Sequence, residues 1–75
     1  MIDAKAEIVG NVWKILAREG DQVGPGDPLV ILESMKMEIP VTAPAHGHVA
    51  TILVSEGQIV QEGDPVVEID DTVGA

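Results

Sequence analysis

Between Val30 and Val41 the side chains alternate in type on either side of a two-residue break at Met35 and Lys36. With those two residues as a hairpin loop, Val30, Leu32, Ile39 and Val41 fall on one face, and Ile31, Glu33, Glu38 and Pro40 on the other. A one-residue slip destroys that sorting. Elsewhere the apolar residues come in short runs cut by Gly and Pro, and no long 3.6-residue period survives, so no helix is expected. Turn signals stand at Glu19-Gly20-Asp21, Gly24-Pro25-Gly26-Asp27-Pro28, Glu56-Gly57-Gln58 and Glu62-Gly63-Asp64-Pro65. They leave strands running up to Gly10, over 11–17, from Leu29 onward, over 51–54 and over 66–70.

The punctuation repeats. Shifting the sequence by 37 lays 8–33 over 45–70 with eleven identities in 26 positions, among them Gly10/Gly47, Glu19-Gly20/Glu56-Gly57 and Gly26-Asp27-Pro28/Gly63-Asp64-Pro65. Two like halves of this size imply a pseudo-twofold arrangement in which neither closes a core alone. About four strands per half predict an all-β sandwich or flattened barrel of eight strands. The hairpin at 34–37 is the pivot and should protrude at one end, with the chain termini in neighbouring strands at the other. Gly20 and Gly57 should occupy related turns, at least one of them at positive φ. Trp13 should point away from Val12 and be partly exposed, and 71–75 should fray.

The 75 residues, 1–75, suffice for one domain. Trp13 is the sole aromatic, so Val, Ile and Leu must build the core. Absence of cysteine excludes disulfides and thiolate metal sites. Thirteen acids against four bases give −9, which argues against nucleic acid and anionic membranes and for protein partners with basic docking surfaces. The longest apolar run, Leu29 to Leu32, is too short to span a bilayer, and the start resembles no secretion signal, so a cytoplasmic location is expected.

Met35-Lys36 suits a two-residue turn badly, since such loops favour Asn-Gly or Asp-Gly for positive φ. A local conflict of this kind is expected at functional sites. A methionine in an exposed loop has no core to fill, and a soft thioether suits a surface that meets several partners. Lys36 is poorly placed as a catalytic base: an ordinary lysine, with a pKa of about 10.4, is neutral at pH 7 in only about one copy in 2,500. No His-Asp pair or phosphate loop accompanies it. His46 and His48 lack a third spaced ligand and read as loop residues. Lys36 reads either as an ordinary solvated surface lysine or, as the turn conflict, the flanking methionines and the pivot position favour, as a handle on which another enzyme acts.

Glu33-Ser34-Met35-Lys36-Met37 resembles the attachment motif of the biotinyl/lipoyl domain family, in its biotin carboxyl carrier form. Gly10 to Leu16, Glu19 to Val23, Gly26-Asp27, Ala43-Pro44 to Gly47 and Glu56 to Gly63 follow the same spacing. The resemblance implies a pseudo-symmetric flattened barrel of two four-stranded antiparallel sheets. It also implies biotin joined by an amide to Lys36, flanked by Met35 and Met37, after a biotin protein ligase activates it as the adenylate. A biotin carboxylase would then carboxylate the ureido nitrogen, and a carboxyltransferase pass the group to an acyl-CoA (acetyl- or propionyl-CoA) or a 2-oxo acid. The chain itself would be a non-catalytic carrier, monomeric when isolated. Lipoyl domains usually carry an Asp-Lys-Ala type of tip, and a lipoyl carrier is the alternative within this fold. An unmodified acidic interaction domain is the alternative outside it. The connection from Asp21 to Asp27 is too short for the thumb of bacterial acetyl-CoA carboxylase carriers, and Glu7-Ile8-Val9-Gly10 lacks the proline found in Pro44-Ala45-His46-Gly47.

Overall fold

A computed structural model describes residues 1–72. Eight strands follow one another: β1 (Ile2–Lys5), β2 (Gly10–Ile15), β3 (Gln22–Val23), β4 (Pro28–Ser34), β5 (Met37–Thr42), β6 (Gly47–Ile52), β7 (Ile59–Val60) and β8 (Pro65–Asp70). They form two four-stranded antiparallel sheets, ordered β1-β8-β6-β3 and β5-β4-β2-β7. The 37-residue shift converts one order into the other, and each sheet takes two strands from each half. The expected all-β, pseudo-twofold architecture is thus the observed one.

Three boundaries differ from expectation. β1 ends at Lys5, because Ala6 leaves the sheet to donate to the Asp64 carbonyl. β2 stops at Ile15, because the Leu16 and Ala17 amides both converge on the Leu29 carbonyl. β6 starts at Gly47, where Gly47 and His48 pair with β3 and His48 also pairs with β8.

Alternation is interrupted by bulges that obey the repeat. Trp13 is the extra residue between Val12↔Leu32 and Lys14↔Ile31, and Ala50 is the extra residue between Val49↔Ile69 and Thr51↔Glu68. Likewise Leu29 is extra between Pro28↔Thr42 and Val30↔Val41, as Val66 is between Pro65↔Lys5 and Val67↔Ala4. A bulge turns two consecutive side chains to one side. Leu29-Val30 and Val66-Val67 are accordingly all buried. With Val12, Leu32, Val49, Val60 and Ile69 they fill the space between the sheets without an aromatic ring or a buried polar side chain. Each such side chain contributes roughly 1.5–3 kcal/mol on burial.

Four turns tie the halves together. Gly20, Gly26, Gly57 and Gly63 have φ of 97°, 88°, 92° and 90°. Each is the third residue of a tight turn whose fourth residue (Asp21, Asp27, Gln58 or Asp64) accepts, through its side chain, from the first residue's amide. Type II turns require that positive φ. Every turn then clamps the opposite half: Gly20 donates to Val49 and Gly57 to Val12, while Gly26 donates to Ala43 and Gly63 to Ala6. Glu19 accepts from the Ile52 amide and Glu56 from the Ile15 amide, again across the halves.

The first and last strands are neighbours, with Ile2 opposite Ile69. Asp71 was expected to fray with the tail, but its carboxylate sits 3.0 Å from the Met1 ammonium. Residues 73–75 of that expected tail lie outside the described residues.

Candidate cofactor-attachment site

The hairpin β4–β5 has the expected register. Val30↔Val41 and Leu32↔Ile39 face inward, Ile31↔Pro40 and Glu33↔Glu38 outward, and Ser34↔Met37 closes the ladder. Met35 and Lys36 bridge it at φ of 52° and 65°. Both central residues at positive φ define the type I′ geometry that matches strand twist. For residues bearing a side chain that conformation costs roughly 1–2 kcal/mol each. The conflict read from the sequence is therefore present in the backbone.

The turn places side chains where the domain does not enclose them. Met35 is 92% exposed and Met37 62%, and Lys36 is exposed between them. Among the described residues Met1 and Asp71 form an ion pair and His48 Nε2 lies 3.7 Å from the Asp70 carboxylate, and neither contact involves a residue of the β4–β5 hairpin. Two shallow concavities mark the surface, one lined by Ile39, Pro40 and Thr42 with Lys5 and Glu7, the other by Gln22, His46, His48 and Asp71. Neither includes Lys36. A primary amine so displayed can be delivered into another protein's active site.

His48 lies on β6 with Nε2 3.7 Å from the Asp70 carboxylate, and His46 is exposed in the loop before it. No three His, Asp or Glu side chains among the described residues gather to hold a metal ion. At this end hydrogen bonding from Thr72 lowers the Asp70 pKa, and the Met1 ammonium, through a hydrogen bond, lowers that of Asp71. The same bond raises the terminal amine above its ordinary 8.0.

Trp13 projects opposite to fully buried Val12, as expected, and is 42% exposed with Lys14 Nζ 5.6 Å from its ring centroid. Sequence reasoning missed the surrounding surface. Its apolar members, Val9 and Ile59, lie outside the motif, and the signal available was that their repeat partners, His46 and Gln22, are polar.

The model of a family described as biotin-requiring enzymes, the biotin/lipoyl attachment family, matches residues 4–69. A biotinylated protein TB7.3 homolog from Mycobacterium leprae is 60% identical over 47 residues, covering 63% of this chain and 66% of that protein. Its counterpart from Mycolicibacterium smegmatis is 63% identical over 41 residues, covering 55% and 58%. The matches thus span 66% and 58% of those relatives' own length, less than two thirds of each. Among solved structures, the urea carboxylase of Kluyveromyces lactis superposes with a TM-score of 0.88 at 39% identity, over 92% of this chain and 6% of that one. The chain belongs to the biotin/lipoyl attachment family, and its relatives above are of the biotinylated type. The cofactor of this type is biotin, held as an amide on a lysine.

Proposed function

We propose that the domain 1–75 is a carboxyl carrier in which Lys36 holds biotin and Met35 and Met37 flank the tether. The observation that carries this reading is the amine at the apex of a protruding turn, between two exposed thioethers, in a backbone conformation that favours other residue types. That site fits the group. An acyl chain joined there extends the lysine side chain into solvent and meets no enclosing wall of its own domain.

In the labelling step the Lys36 amine sheds a proton, attacks an activated carboxyl carbon and expels its leaving group as the amide forms. A biotin protein ligase supplies the activation. Bound biotin supplies a ureido nitrogen able to carry a carboxyl group, and the protein supplies position and mobility. The hairpin keeps the tether at a high local concentration for a biotin carboxylase and then a carboxyltransferase. A carboxylase among the similar structures supports that pairing, and the acceptor in our reading is an acyl-CoA or a 2-oxo acid. Met35 and Met37 offer apolar contact beside the tether, so replacing both by leucine should preserve labelling and reduce carboxyl transfer. The small, −9 module releases each partner readily, acts as a monomer, and meets an ATP-dependent ligase in the cytoplasm.

Intact mass tests the reading. Expression with biotin ligase and with lipoate ligase should give a gain of about 226 Da, the biotinyl increment, whereas about 188 Da would mark a lipoyl carrier. An unchanged mass would mark an unmodified interaction domain. Lys36→Arg should keep the fold and gain nothing, and a biotin on that variant would move the site elsewhere.

A further inference from the structure

The pseudo-twofold axis supplies an internal control. Leu16 and its repeat partner Leu53 are both exposed, so their exposure belongs to the scaffold. The outer faces of the two sheets differ at equivalent positions. On the hairpin sheet Trp13 and Ile59 are 42% and 68% exposed, and Val9, directly ahead of β2, is 51% exposed. Their partners beside the other sheet are His46, Ala50 and Gln22. Ile31 and Pro40, opposite each other on the hairpin sheet, correspond to Glu68 and Asp3, also opposite each other. One backbone plan thus carries an apolar face and a polar face, and the fold requires only the plan.

The sheet that carries this face runs into the attachment hairpin. Ile59 pairs with Asn11, Asn11 with Glu33 and Glu33 with Glu38, forming one row across the sheet. That row stands three residues from Lys36, about 10 Å along the strand, and Ile31, opposite the Trp13 bulge, stands about 17 Å away. A protein partner covers roughly 800 Å² per side, enough to span tip and face together. Aromatic side chains in such positions act as anchors.

We propose that this face, centred on Trp13 and Ile59, is where the ligase that modifies Lys36 docks, through an apolar contact rimmed by basic side chains. The inference rests on the reading of Lys36 above. Labelling is the one step at which the carrier bears no cofactor, so recognition must come wholly from protein surface. The later partners also grip the cofactor itself. The basic rim answers Glu33 and Glu38 in the row and the −9 charge of the chain.

The test installs on the hairpin sheet the residues that the other half already carries at the same positions: Val9→His, Trp13→Ala and Ile59→Gln together. Ile59→Gln alone, on a two-residue edge strand, serves as a second variant. Each is assayed as purified apo-domain with a biotin protein ligase at saturating biotin and ATP, with folding checked by denaturation. The expected result is a KM for the domain raised about tenfold or more in the triple variant and several-fold in the single one, with kcat within about twofold. A KM within twofold of the unmodified sequence in the folded single variant overturns the docking surface while leaving Lys36 as the site. So does an unchanged ligase KM accompanied by a raised KM at the carboxylase. Failure of the unmodified sequence to take biotin overturns the reading of Lys36 itself.

Discussion

Two kinds of tight turn hold this domain, and they differ in what occupies positive φ. At Gly20, Gly26, Gly57 and Gly63 the backbone takes φ near 90° with no side chain to object, and added Cβ atoms at these positions would meet nothing within 4 Å. At the hairpin Met35 and Lys36 enter the left-handed region with long side chains attached. The scaffold uses glycine where a turn only has to clamp the opposite half. It accepts strain where the turn displays a lysine between two exposed methionines.

The largest effect should come from the clamps. Gly57→Ala keeps open space around the new methyl but forces alanine to positive φ, so it should destabilise the fold by about 1–2 kcal/mol in urea denaturation. No loss would mean that the turn relaxes and that glycine is not required there. The converse change, Met35→Gly, removes one strained residue and should stabilise by about 0.5–1 kcal/mol while ligase labelling persists. A destabilised variant would show that Met35 packs in a way the exposed position does not suggest. Smaller again is the like-charge pair Glu33↔Glu38 beneath the tip. Glu38→Gln should gain a few tenths of a kcal/mol at low salt and nothing at high salt.

The smallest effect concerns the opposite end, where the repeat has no loop and a salt bridge joins Met1 to Asp71. The terminal amine is raised above 8.0, so its contribution is full below about pH 8 and fades as pH climbs through the raised value. Asp71 is lowered below 3.8, so its contribution is full above that value and fades as pH falls through the lowered one. Asp71→Asn should flatten both limbs of the stability profile slightly and leave the plateau between them level. Identical profiles would show that solvent screening cancels the pair.

The repeat made most of this legible. Equivalent Gly-Asp-Pro signals mark turns, and alternation around Met35-Lys36 specifies the hairpin register. The bulges were not legible, because Trp13, Ala50, Leu29 and Val66 carry no special residue type and declare themselves only as breaks in pairing. β6 was read too short for a related reason: Gly47 resembles a loop signal, yet its partners on β3 and the neighbouring β8 strand lie far away in sequence. Glu19 and Glu56 were visible as repeated turn residues, but their bonds to Ile52 and Ile15 depend on how the halves interlock. At the hairpin, residue type and spacing sufficed to place Lys36 at an exposed tip beside Met35 and Met37. The face around Trp13 required the sheets to be laid over one another.

The last strand, β8, lies between β1 and β6 rather than at an edge. During synthesis the first five strands, hairpin included, leave the ribosome well before the strand that joins β1 to β6. Until β8 arrives, the core lacks Val66, Val67 and Ile69, and β1 has no link to β6 in the sheet that faces the hairpin sheet. On the proposed reading, a ligase that reads folded surface therefore meets a competent Lys36 only once β8 has emerged and docked, and chains that lack β8 escape labelling. Chains cut after Asp64 should stay unmodified under conditions that label the full sequence, and labelled fragments of that length would show that the hairpin is recognised before the barrel closes.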